Sequence, residues 1–87
     1  MKYKVVLRPG VRKALNRIVG NDHQAIMERL DSLTEIPRPG NVKQLTGAPL
    51  WRVRVRNYRI IYHVDDNNMR ITVVKITRRS EKTYKGF

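Results

Sequence analysis

Three arginines at alternate positions, Arg52, Arg54 and Arg56, stand in the segment WRVRVRNYRIIYHV from Trp51 to Val64. In an extended strand, alternate residues share one face about 7 Å apart, and like charges at that spacing repel unless an anion lies over them. Phosphate is the natural candidate. Arg59 in the next run and Arg78 or Arg79 further on can reach the same face, while Tyr84 offers a ring for stacking on an unpaired base. Basic side chains beside an aromatic ring suit single-stranded RNA. His63 shares the parity of Arg59 and brings an imidazole to the basic side.

Each residue also has a plainer reading. An antiparallel sheet commonly keeps one wet face that arginines merely solvate, although such a face ordinarily mixes signs. A tyrosine near a chain end can pack on its own domain, and a lone strand histidine is often structural. Trp51, Tyr58 and Tyr62 fall on the apolar parity and read as core.

Metal-free cleavage of RNA requires a base for the 2′-hydroxyl proton, cations for the charge building on the phosphate, and an acid for the leaving 5′-oxygen. Arginine does the second job well and the first poorly, because a guanidinium holds its proton where a lysine can release it. The sequence therefore supplies phosphate clamps more clearly than a base.

Composition agrees with a polyanionic partner. Among 87 residues, 19 Lys and Arg stand against 7 Asp and Glu, a net charge of +12 that opposes compaction and attracts anions. The charge is denser from residue 51 onward, where ten basic side chains face three acidic ones. With no cysteine and with His23 and His63 far apart, neither a disulfide nor a metal set is suggested, and no cofactor is implied. The apolar run at the N-terminus is too short for a signal peptide, and no segment is long enough to span a membrane, so a cytoplasmic protein is expected.

The elements that must position the arginines follow from periodicity. Residues 3–8 read as a strand ended by Pro9 and Gly10; Val11, Ala14, Leu15 and Ile18 recur at helical spacing. Gly20 and Asn21 break that helix, Asp22 is the expected N-cap of a second, and Ile26, Leu30 and Leu33 form its apolar stripe before Pro37. Residues 36–50, rich in proline and glycine, read as a surface connection anchored by Leu45. From Trp51 the period switches to two, with a turn near Arg56 and Asn57, a hairpin strand over 58–64, a second turn over 65–68 and a last strand over 70–77. The expectation is one α+β domain over residues 1–87, with two N-terminal helices on one face of a four-stranded, mainly antiparallel sheet whose other face is bare and basic.

Leu45 and Gly47, the run from Trp51 to Val64, and TRRSEKTYK from Thr77 to Lys85 together resemble the RelE/ParE toxin superfamily. For the RelE branch, the resemblance implies a toxin of a type II toxin-antitoxin system that cuts the mRNA codon in the ribosomal A site, giving a 2′,3′-cyclic phosphate and a 5′-hydroxyl. Arg52 and Arg54 fall where that branch typically has two lysines, the second serving as base. By the same resemblance Arg59 holds the phosphate, Arg78 is the general acid, favoured over Arg79 by its interval to Tyr84, and Tyr84 stacks on the mRNA base. With arginine at position 54, the base is open between His63, a ribosomal group and Arg54 itself. The family further implies a cognate acidic or amphipathic antitoxin that wraps the toxin, and contact with operator DNA only through that antitoxin. The alternative within the superfamily is a ParE-like toxin that inhibits DNA gyrase without nuclease activity; that branch usually lacks the C-terminal arginine and tyrosine.

Overall fold

The structure is a computed structural model and describes residues 2–40, 42–45, 47 and 49–78. Seven elements follow one another: β1 (Lys4–Leu7), α1 (Pro9–Arg17), α2 (Gly20–Glu35), β2 (Lys43–Gln44), β3 (Trp51–Val55), β4 (Tyr58–Asp65) and β5 (Arg70–Arg78). The five strands form one sheet in the order β1-β5-β4-β3-β2, with β1 parallel to β5 and every other pair antiparallel. The expected fold holds, with one more strand than the sequence suggested. That strand, β2, is two residues long and pairs only with Arg52 and Trp51, too short to leave a period in the sequence.

Both helices cover one face. Val11 and Leu15 of α1 and Ile26, Leu30 and Leu33 of α2 pack with Val53, Val55, Tyr58, Ile60, Tyr62, Ile71 and Val73 of the sheet. Burying an aliphatic side chain of this size contributes about 1.5–3 kcal/mol, so these dozen residues are the main source of stability in a chain whose charges work against it. Pro9 occupies the start of α1, where its missing N–H removes a donor that has no helical partner anyway.

Asp22 does not cap α2. The helix begins at Gly20, whose φ of +67° turns the chain out of α1, and no side chain caps it. Asp22 sits in the first turn, where its charge suits the positive end of the helix, and accepts a hydrogen bond from Arg56. Leu45 is half-buried, and its N–H donates to the Leu50 carbonyl at 2.9 Å, closing the connection before β3.

At the far end of the sheet, Tyr3 Oη donates to Asp66 Oδ1 at 2.6 Å and Arg38 Nη2 donates to the same carboxylate at 3.0 and 3.2 Å. The Arg38 guanidinium also lies 5.8 Å from the centre of the Trp51 ring. Tyr62 Oη donates to the Pro37 carbonyl at 2.7 Å, so the segment after α2 is tied to the core of the sheet.

Candidate nucleic-acid interface

The strand register sorts the basic residues. Paired positions in an antiparallel ladder point to the same face, so Val53, Val55, Tyr58 and Ile60, which pack under the helices, fix the other face as that of Arg52, Arg54, Arg59, Ile61 and His63. Arg54 lies directly opposite Arg59, and Thr77 of β5 lies on the other side of Arg59. The next row along the strands is Arg52, Ile61 and Lys75.

Directly opposed like charges destabilise a sheet, and this pair is backed by a further oddity. Thr77 is 6% exposed, and its hydroxyl has no hydrogen-bond partner among the described residues. A buried hydroxyl without a partner costs about 1–3 kcal/mol, and an anionic oxygen seated between the arginines relieves both penalties.

Arg56 does not continue the arginine row. It leaves β3 and enters the two-residue turn with φ of +54°, and its Nε donates to Asp22 Oδ1 at 2.6 Å. The alternation of residue types runs one position further than the strand does. Its guanidinium instead fastens the β3–β4 turn to the start of α2.

His63 is on the basic face but far along it. It pairs with Thr72, four residues from Arg59 on β4, which at strand spacing is about 13 Å. Arg78 pairs with Tyr58, so its Cα belongs to the helix-side parity; it is exposed and is the last residue of β5. Arg79 and Tyr84 lie outside the described residues.

A register slip explains why Arg78 and Thr77 fall as they do. Ile61 pairs with Lys75 but Tyr62 pairs with Val73, leaving Val74 as an extra residue in β5. Ile71 and Val73 face the helices before this bulge, and Ile76 does so after it. Lys75 and Thr77, which strict alternation assigns to the core, are thereby turned to the arginine face. Sequence reasoning missed Lys75, although the run Ile71, Val73, Val74, Ile76 carries the signal, since those apolar residues cannot share one face without a slip.

Beside β3 a concavity of about 430 Å³ opens between its outer edge and α2, lined by Ala25, Glu28, Arg29 and Ser32 of the helix and Arg54 to Arg56 of the strand. β2 pairs with only the first two residues of β3, which leaves that edge open from Val53 on. Among the described residues no group of three or more His, Asp and Glu is placed to hold a metal ion, and no helix is long and apolar enough to cross a membrane.

Comparison with known proteins places this geometry. The family model for the ParE toxin of type II toxin-antitoxin systems matches residues 5–83. The chain belongs to the RelE/ParE toxin superfamily. Among solved structures, this RelE/ParE toxin is similar to a chain of the archaeal RelE–RelB complex from Pyrococcus horikoshii, with 30% identity over 93% of this chain and 99% of that one and a TM-score of 0.83. The toxin-antitoxin complex RelBE2 of Mycobacterium tuberculosis matches at 22% identity, 91% and 100% coverage and a TM-score of 0.80. The isolated RelE toxin of Escherichia coli matches at 17% identity, 93% and 88% coverage and a TM-score of 0.80. These last two likenesses are of fold. No curated protein sequence matches the toxin.

Proposed function

We propose that this toxin is an endoribonuclease that cuts mRNA in the ribosomal A site. The observation that carries the reading is the Arg54–Arg59 pair beside the buried hydroxyl of Thr77, which has no hydrogen-bond partner among the described residues, an arrangement that suits an anionic oxygen. Two guanidiniums there hold the scissile phosphate and take up the charge that builds on it as the 2′-oxygen attacks. Arg52, one row along, extends the track to a neighbouring phosphate. Attack forms the 2′,3′-cyclic phosphate and expels the 5′-oxygen. Arg78, the acid by resemblance, follows Thr77 directly and is the exposed last residue of β5.

The ribosome adds positioning of the substrate. Holding the codon in an attack-ready conformation lowers the barrier without any protein group, and a basic toxin is drawn to ribosomal RNA. An acidic antitoxin covering the same face competes with RNA for it, consistent with the archaeal RelE relative having been solved with RelB. Repression of the shared operon then runs through that antitoxin's own DNA contacts.

The direct test adds purified toxin to ribosomes programmed with a defined mRNA and maps the new 5′-ends. Cuts in codon register support the reading, and folded toxin that leaves the mRNA whole overturns it. The ParE description of the matching family model favours a second reading, inhibition of DNA gyrase. Supercoiling by purified gyrase, blocked by the toxin while mRNA stays intact, is the result that selects it.

A further inference from the structure

The arginine face holds the phosphate but leaves the 2′-hydroxyl proton without a destination, since Arg52, Arg54 and Arg59 do not give up protons of their own. His63, the imidazole on that face, is two rows from the Arg54–Arg59 pair. One residue between them has the needed chemistry. Lys75 is brought onto this face by the Val74 bulge, next but one to Thr77 on β5 and diagonal to Arg59 across the β4–β5 ladder, about 7–8 Å away. Bulges recur beside active sites because they re-aim a side chain, and here the re-aimed group is an amine.

Resting on the nuclease reading above, we infer that Lys75 is the general base of the cut. Its flexible four-carbon stem starts one row from the phosphate seat, beside Ile61, which is only 1% exposed although it lies on the face away from the helices. The Nζ lone pair takes the 2′-hydroxyl proton; the 2′-oxygen forms its bond to phosphorus; the P–O5′ bond breaks, and its electron pair leaves with the 5′-oxygen, which is protonated from the acid side. The proton gained by Lys75 returns to solvent, so nothing else is consumed. Among the described residues, Arg59 and His63 of β4, Arg52 of β3 and Arg8 just after β1, whose backbone N–H donates to the Val73 carbonyl, stand near Lys75 in the sheet. Among the described strand residues of this face the acidic one is Asp65, which pairs with Arg70 at its far end.

The test is single-turnover cutting of mRNA by saturating toxin on programmed ribosomes, followed from pH 6 to pH 9. Lys75→Arg keeps the charge and the phosphate contact but loses the base, and is expected to cut at least about 100-fold more slowly while still binding ribosomes. Lys75→Cys alkylated to an aminoethyl thioether restores an amine of lower basicity, and is expected to recover cutting with its pH–rate profile displaced toward acid. Wild-type rate and an unchanged profile in Lys75→Arg overturn the inference, as does recovery by the aminoethylated variant with no displacement, which marks a purely positional role. If wild-type toxin itself leaves mRNA intact, the nuclease reading has failed; if wild type cuts and Lys75→Arg cuts equally well, only the assignment of Lys75 has.

Discussion

Arg54 and Arg59 stand at directly paired positions of the β3–β4 ladder, two cations face to face on the side of the sheet away from the helices. Like charges at directly opposed positions repel, and an anion seated over both offsets that repulsion. Arg59→Ala is expected to lower mRNA cutting by about 100-fold or more, the loss typical of a removed transition-state donor. The programmed-ribosome assay checks this, with thermal unfolding of the same preparation to show that the variant is folded.

Arg78→Ala and Tyr84→Ala separate cutting from poisoning of gyrase. Loss of growth inhibition with ribosome affinity retained is the expected outcome. Unchanged toxicity in both variants would point to gyrase.

The Arg56–Asp22 ion pair makes a prediction about stability alone. Arg56 sits at φ +54°, a conformation that costs a non-glycine residue about 1 kcal/mol or more, and its partly exposed ion pair returns up to about 1 kcal/mol. Asp22→Ala should thus lower stability slightly, whereas Arg56→Gly removes strain and ion pair together and should be nearly neutral. Urea unfolding midpoints distinguish the two.

Acid should loosen the far end of the sheet before it touches the arginine face. The hydrogen bonds from Tyr3 and then Arg38 hold the Asp66 carboxyl below its ordinary range, and those from Asn68 do the same for Asp65. A carboxyl lowered in the folded state contributes stability that is present above its unfolded value and lost as pH falls through the folded one. Stability should therefore decline as pH drops below about 4, the ordinary carboxylate value, and Asp66→Asn should flatten part of that decline in a pH series of unfolding midpoints.

Alkali acts through Tyr62. Burial pushes its hydroxyl up to about 12, so its contribution is complete below the ordinary value of 10 and is lost as pH rises toward 12. Tyr62→Phe gives up the bond to the Pro37 carbonyl but should show a weaker loss of stability over that interval.

Much of the arginine face was legible before any coordinates, because Trp51, Val53 and Val55 alternate with Arg52 and Arg54 and the period of a strand is strict. What alternation does not report is where the strand stops. Arg56 carries the pattern in type but lies past the last strand residue, Val55. β2 was invisible for the opposite reason, since two residues have no period. Asp22 had the right chemistry for a cap but stands three residues past Val19, which holds the cap position. The arginines drew attention by repetition, whereas Lys75 stood alone among apolar residues and at the parity of Ile71 and Val73, so its place depended on a single extra residue that propensity does not mark.

That extra residue makes the length of β5 a carrier of information separate from its composition. Deleting Val74 would set Val73 next to Lys75 opposite Tyr62 and Ile61, so strict alternation would return with Lys75 and Thr77 still on the arginine face and Ile76 still under the helices. A single-codon deletion there would thus be tolerated better than one elsewhere in the strand, where the residues beyond the gap would change face. For the same reason, relatives aligned by residue type without allowing for this slip would match Lys75 to a position of the interior.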